Sequence, residues 1–109
     1  MAQIYKDLTL LSRKYILYSK QRFNEERGII MYYCLYVDGR GYLYHDSKLK
    51  DYKFTFGNNV SKAKWHRTLR ACFHWFGFVN LVCGSNIVYI CIIDKSGKVV
   101  DKIDPQFYL

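Results

Sequence analysis

The chain has 109 residues, of which 50% are hydrophobic, and its 17 Lys and Arg against 9 Asp and Glu give a formal charge of +8. This length corresponds to one domain, and the hydrophobic content is too high for an intrinsically disordered segment. No apolar run approaches the roughly 20 residues of a membrane span, and charged residues interrupt the start of the chain where a signal peptide would be apolar. We therefore expect a cytoplasmic protein, in the host cytoplasm if it is viral, whose positive charge attracts a polyanion such as nucleic acid.

Residues 3–27 have the periodicity of an amphipathic helix. Apolar residues recur at steps of three and four and predict its buried stripe, which consists of Ile4, Leu8, Leu11, Tyr15 and Tyr18. Gly28 predicts the end of the helix. Basic residues recur every seven positions on the opposite side and predict a nucleic-acid-binding face, which consists of Lys6, Arg13, Lys20 and Arg27.

Residues 29–45 predict a β-hairpin. Its first strand is β-branched and aromatic, and the Asp-Gly-Arg-Gly turn that begins at Asp38 leads to a short second strand. Tyr32, Cys34 and Tyr36 share one face, and both faces are largely apolar, so we expect a helix on one side and a tyrosine-rich surface on the other. Partner-binding or stacking residues are predicted in this hairpin and the segment after it, namely Arg40, Tyr42, Tyr44, Lys48, Lys50 and Lys53.

A second helix is predicted to begin at Asn59 or Ser61 and to end at Gly77. Its buried stripe consists of Trp65, Leu69, Cys72 and Phe76. Its outer face carries Lys62, Lys64, Arg67, Arg70 and His74. A single cationic helix face is an ordinary solvated surface, but two one-signed faces favour phosphate binding, because mixed signs would serve solubility better.

The remaining segments predict β-structure. A short strand is expected at residues 52–56, two more at 79–83 and 87–93, and a last one at 98–103 after the turn that begins at Asp94. The element order is α-β-β-(β)-α-β-β-β. This order predicts one α+β domain over residues 1–109, with an antiparallel sheet of about five to six strands and two amphipathic helices against one face.

The cysteines and histidines do not form a catalytic or metal-binding pattern. The four cysteines lack paired two-residue spacing, which predicts reduced thiols and no metal or other cofactor. His66 and His74 stand eight residues apart on one predicted helix, too far for a concerted acid–base pair. We expect a binding protein rather than an enzyme, and a metal-independent nuclease is the remaining catalytic alternative.

The sequence therefore favours a small nucleic-acid-binding domain that contacts phosphates with two basic helix faces and a tyrosine-rich hairpin, with DNA and RNA both open. The alternative is an inhibitor of phage or virus type, comparable to an anti-CRISPR protein, that binds an acidic host protein or a ribonucleoprotein. The short, Tyr- and Lys-rich composition is similar to that of proteins encoded by phages. A homodimer through an open sheet edge is a third hypothesis, and no membrane partner is expected.

Overall fold

Two helices and a five-stranded antiparallel sheet make up the fold, which confirms the predicted α+β class. The structure is a computed structural model that describes residues 2–108, with side chains from residue 13 onward. Its elements are α1 (Ala2–Glu26), β1 (Met31–Val37), β2 (Gly41–Leu43), β3 (Phe56–Gly57), a 3₁₀ helix (Val60–Lys62), α2 (Leu69–Val82), β4 (Val88–Asp94), β5 (Val99–Ile103) and a second 3₁₀ helix (Pro105–Tyr108). No helix in the described part of the chain is long and apolar enough to cross a membrane.

The sheet has the strand order β3-β2-β1-β4-β5, with β1 at its centre. β1 and β4 pair without interruption from Met31 opposite Asp94 to Val37 opposite Val88. The predicted hairpin joins β1 to β2 through a turn that ends at Gly41, whose φ is +106°. A Cβ atom at Gly41 would also collide with the Gly57 carbonyl of β3, so only glycine fits this position.

The β1–β2 pairing is short because the segment that precedes α2 inserts between the two strands. His66 and Tyr33 exchange two backbone hydrogen bonds of 2.6 and 2.8 Å, and Ala63 forms a β-bridge with Tyr44. Residues directly opposite each other in an antiparallel pair share a face. His66 therefore lies beneath the helices with Tyr33, and Trp65 lies on the other side of the sheet.

One face of the sheet packs against the helices. α2 buries Leu69, Cys72, Phe73, Phe76 and Val79 in this core. The sheet contributes Tyr33, Leu35, Val37, Leu43, Val88 and Ile90. These residues alternate along their strands, so their neighbours point to the opposite face.

The second helix differs from its prediction at both ends. Asn59 caps the short 3₁₀ helix, and Thr68 caps α2 by accepting a 3.3 Å hydrogen bond from the Ala71 N–H. The predicted start at Asn59 or Ser61 is therefore wrong, because a 3₁₀ helix at Val60–Lys62 is followed by an extended segment that pairs with the sheet through Ala63 and His66. The predicted strand at 79–83 is also wrong, since α2 continues through Gly77 and keeps Val79 on its buried stripe.

The first helix ends near the predicted glycine, but its buried face is rotated. The Gly28 N–H donates to the Glu25 carbonyl at 3.0 Å, which closes the helix end. Leu17 is buried, whereas Tyr15 is 64% exposed, so Tyr15 does not belong to the buried stripe. The reason is that polar residues take part in the helix contact, because the Gln21 side chain accepts from the Leu69 N–H at 2.8 Å. The predicted stripe residues Ile4, Leu8 and Leu11 lie outside the described side chains.

Candidate nucleic-acid interface

The basic residues predicted for the outer face of the second helix do not share one helix face. Arg70 and His74 lie one turn apart on α2, and both are exposed. Lys62 lies in the 3₁₀ helix, whereas Lys64 and Arg67 lie in the extended segment before α2. The prediction of a single presenting helix is wrong because α2 begins at Leu69.

The basic residues predicted for the first helix are only partly placed on it. Arg13 and Lys20 are exposed on α1, and Arg27 follows its last residue with the guanidinium 5.2 Å from the centre of the Phe23 ring. Lys6 lies outside the described side chains. The Arg13 side chain also donates to the Phe107 carbonyl at 3.3 Å, which ties α1 to the C-terminal 3₁₀ helix.

Three arginines meet where α1 passes the N-terminus of α2. Arg22 and Arg70 line a cavity of about 270 Å³ between the two helices, and Arg67 pairs with Glu25 through a 3.2 Å ion pair at the same place. We call Arg22, Arg67 and Arg70 the cationic junction. The first turn of α2 contains no acidic residue, so its peptide dipoles add to the positive potential. Arg22 was not predicted as a site residue, because it is not one of the regularly spaced basic residues of the first helix.

Aromatic rings hold several of these cations in place without neutralising them. The Arg67 guanidinium lies 5.8 Å from the centre of the Tyr32 ring. The Arg70 guanidinium lies 5.0 Å from the Tyr18 ring, and the Lys64 ammonium lies 4.3 Å from the Trp75 ring. Such contacts restrain the side chain and leave its full charge available to an anion.

The structure separates the residues predicted in the first hairpin and the segment after it. Tyr42 lies on the sheet face away from the helices, where its ring centre is 5.0 Å from that of Tyr36. Tyr44 is used internally, because its hydroxyl accepts from the Asn59 N–H at 3.3 Å and its ring fills the space beside Gly57.

The basic members of that set lie elsewhere. The Arg40 guanidinium stands over Phe56 at 5.8 Å. Lys48 and Lys53 form a β-bridge around a turn that contains Lys50, and all three are exposed. The ring of Tyr52, in the same turn, packs against Phe78 of α2, so these lysines belong to the helix side of the sheet and not to the surface that carries Tyr42.

The sheet face opposite the helices carries most of the exposed aromatic surface of the strands. We call it the open face; among the described side chains, those of α1 and α2 pack on the other face, and Val60 of the first 3₁₀ helix packs at the margin of this one. It consists of Tyr32, Cys34 and Tyr36 from β1, Tyr42 from β2, Tyr89, Cys91 and Ile93 from β4, Val99 and Lys102 from β5, and Trp65 at its margin. Cys34, Cys91 and Ile93 form its buried floor, and the tyrosines are half-buried.

Lys102 stands on this face, close to two rings. The Lys102 ammonium lies 4.5 Å from the centre of the Tyr36 ring and 4.8 Å from that of Tyr89. On the described strands the acidic residues point the other way, because Asp94 and Asp101 are opposite Met31 and Ile92, which pack against the helix-side core. The open face is thus aromatic, positive and free of carboxylates on its strands.

Tyr89 and Lys102 were not predicted as site residues. Alternation along residues 87–93 places Tyr89 and Cys91 on one face, which is a usable signal. This alternation does not indicate that Tyr89 lies beside Tyr36, because their proximity depends on how β4 pairs with β1.

Two ionisable side chains beneath the helices, His66 and Tyr33, are neutral at physiological pH. Burial lowers the pKa of His66 to about 4, with a smaller contribution from the Lys64 charge, and its Nε2 atom has no hydrogen-bond partner. Burial also raises the pKa of Tyr33 to about 12. All four cysteines are buried and unbridged, and the described residues contain no group of three His, Cys, Asp or Glu that could hold a metal ion.

Comparison of the chain with protein-family models, with curated proteins and with solved structures finds no match. Function is therefore inferred from the residues and contacts of the chain itself.

Proposed function

We propose that this protein is a non-catalytic nucleic-acid-binding module whose cationic junction contacts backbone phosphates. The observation that carries the proposal is the convergence of Arg22, Arg67 and Arg70 at the N-terminus of α2, with Glu25 as the one acidic residue that lines the cavity between the helices. Arginine binds phosphate through two parallel hydrogen bonds, and the positive end of a helix adds to the attraction. The ring contacts of Arg67 and Arg70 reduce the entropy that these side chains lose when they bind.

The distribution of charge supports a polyanion as the ligand. Among residues 13–108 one ion pair is present, between Arg67 and Glu25, so the other basic side chains of this range are not paired with a carboxylate of the same range. Phosphates that bind such a surface release condensed counterions, which drives association. An exposed ion pair is weak in water, so a phosphate can compete with Glu25 for Arg67.

The test is the salt dependence of nucleic-acid affinity in charge-matched variants. Arg67→Gln with Arg70→Gln removes two charges from the cationic junction, and Lys50→Gln with Lys53→Gln removes two from the remote turn. The slope of log affinity against log salt should flatten by about one to two units for the arginine pair, because each phosphate contact contributes roughly −0.9 to the slope on a duplex and −0.7 on a single strand. It should change by less than about half a unit for the lysine pair. Equal changes in both variants, or none, would contradict the proposal.

A second candidate function is inhibition of a host protein or ribonucleoprotein by binding, and a separate surface favours it. Tyr15, Ile16 and Phe23 are 64%, 49% and 56% exposed on the side of α1 that faces away from the sheet. They line a shallow groove together with Ser19, Lys20 and Asn24. Exposed aromatic and aliphatic side chains of this kind anchor protein interfaces. Under this function, Ile16→Ala and Phe23→Ala would abolish binding to an identified protein target, whereas Arg67→Gln with Arg70→Gln would leave it largely intact.

A further inference from the structure

We propose that the open face stacks unpaired nucleobases on Tyr36 and Tyr89, with Lys102 as the accompanying phosphate contact, so that the ligand is single-stranded DNA or RNA. This inference rests on the proposed function and names its substrate class. It adds a base-binding role for residues on the sheet to the phosphate contacts at the cationic junction.

The positions of the two rings support stacking. Tyr36 and Tyr89 are directly opposite each other on the central strands β1 and β4, so their side chains stand side by side. Both rings are half-buried, which restrains them and leaves part of each ring accessible. The exposed Lys102 ammonium stands within 5 Å of both ring centres, which shows that a solvent-side group can reach them.

Lys102 is a displaceable occupant of this site. A contact between an exposed ammonium and a ring is weaker than the stacking of a base on a ring. A base can therefore take the place of the ammonium, and the flexible lysine chain then lets the ammonium reach the phosphate of the same nucleotide. The ring and the cation together match the two chemical parts of a nucleotide, which are an aromatic base and an anionic phosphate.

The shape of the surface favours single strands over duplexes. In a duplex the bases are stacked on each other and present only their edges, in grooves that admit a helix or a narrow β-ribbon. A broad sheet face instead suits bases that are splayed out and stacked on aromatic side chains. The lack of carboxylates on the strand positions of the open face removes the repulsion that would oppose the phosphates.

The open face is continuous with the cationic junction. The Arg67 guanidinium lies over the Tyr32 ring, which packs on Trp65 with 5.4 Å between ring centres. Tyr32 and Tyr36 share one face of β1, roughly 13 Å apart at 3.3 Å per residue. A strand whose phosphates bind at the junction can therefore continue along β1 to the stacking rings.

The experiment measures binding of three fluorescent probes, which are oligo(dT), oligo(U) and a duplex of mixed sequence. Each is about 12 nucleotides or base pairs long, because single-strand sites on such surfaces span roughly 4 to 16 nucleotides. Tyr36→Ala and Tyr89→Ala remove the stacking rings, Tyr36→Phe keeps the ring, and Tyr52→Ala removes an exposed tyrosine from the helix side as a control. The wild type should prefer the single strands. Each ring deletion should weaken single-strand binding by about 5- to 150-fold. Tyr36→Phe and Tyr52→Ala should stay within about twofold of the wild type, a level expected when the ring or the surface is conserved.

A second measurement uses the unaltered protein, so it does not depend on the folding of a variant. Oligo(U) that contains 5-iodouridine is photocrosslinked to the wild type, and the modified residue is identified by mass spectrometry. A crosslink at Tyr36 or Tyr89 supports the inference, and crosslinks confined to the helix side overturn it.

The outcomes separate this inference from the proposed function. One outcome overturns base stacking and leaves phosphate binding in place. In it, duplex and single strands bind equally and the ring deletions have no effect, while the arginine pair still changes the salt slope. If no oligonucleotide binds at low salt, both are wrong. If the ring deletions alter self-association in sedimentation and leave oligonucleotide binding unchanged, the open face binds a second copy and the inference is overturned.

Discussion

The Arg67 side chain connects the cationic junction with the open face through three contacts. Its guanidinium pairs with Glu25, donates to the Met31 carbonyl at 3.3 Å and lies over the Tyr32 ring. The ring and the carbonyl hold the group in position, and the carboxylate is the one partner that a phosphate would replace. A lysine at this position would lack the planar fork that makes these contacts together. Position 67 therefore tolerates charge-conserving replacement poorly under the proposed function.

His66 provides a prediction at the scale of one residue, because its folded pKa of about 4 lies below the ordinary value of 6.5. Between these pH values the unfolded state binds more protons than the folded state. The stability linked to His66 is therefore fully present above about pH 6.5, and the free energy of unfolding falls as the pH is lowered toward 4. The loss over the whole window should be roughly 3 kcal/mol.

Urea unfolding of the wild type at about pH 7 and pH 5 measures this dependence, and His66→Phe removes it. The other acidic groups of the chain contribute equally to both proteins, so the difference between the two pH profiles isolates His66. Parallel profiles would show that His66 does not carry the predicted dependence.

At the scale of elements, the connection between β3 and α2 determines the sheet surface. Asn59 caps the 3₁₀ helix and Thr68 caps α2, and the extended chain between these two helices pairs with Tyr33 of β1 and with Tyr44, directly after β2. The Trp65 indole N–H donates to the Val60 carbonyl at 2.9 Å and thereby holds the ring at the margin of the open face. A continuous helix from Asn59 would have removed this ring from the sheet.

Gly77 tests the continuity of α2. It is exposed in the middle of the helix, and a Cβ atom at this position meets nothing within 4 Å. Gly77→Ala should raise the free energy of unfolding by roughly 1 kcal/mol, because alanine has the higher helix propensity and restricts the unfolded chain. Thermal or urea unfolding measures the change. Destabilisation by this substitution would instead indicate the helix end that the sequence predicts at Gly77.

At the scale of the whole molecule, the two faces of the sheet differ in how much core they bury. The helix side contains the large core, in which α2 and Leu17 of α1 cover the central strands. The open face has a smaller buried layer of Cys34, Cys91, Ile93 and Ala63 beneath aromatic rings. The fold thus gains its stability mainly on one side and presents the candidate ligand surface on the other.

The chain should fold cooperatively without metal or disulfide bonds. All four cysteines are buried as free thiols, and burial raises the pKa of Cys72 well above its ordinary value, which keeps that thiol protonated and unreactive. Unfolding curves from circular dichroism should therefore coincide with and without chelator, and with and without reductant. A shift of the midpoint by more than about 4 °C, which corresponds to roughly 1 kcal/mol for a domain of this size, would contradict this expectation.

The sequence alone determined the α+β class, the two hairpin turns that begin at Asp38 and Asp94, and the strand face that Tyr32 and Tyr36 share, whereas the strand predicted at residues 52–56 is reduced to β3 at Phe56–Gly57 after a turn at 49–52. These features follow from local rules, because turn residues act within four positions and side chains alternate along a strand. The same rules explain why the predicted core residues Leu69, Cys72 and Phe76 are buried.

Only the tertiary structure decided which surfaces those residues complete. Strand alternation groups Tyr36 with its own strand, but the pairing of β1 with β4 and of β4 with β5 brings Tyr89 and Lys102 beside it. Helical periodicity likewise predicted Tyr15 on the buried side of α1, whereas the structure buries Leu17, exposes Tyr15 and brings Gln21 into contact with α2. The physical reason is that periodicity specifies which residues of one element point the same way, whereas the register between distant elements depends on the packing of the complete core.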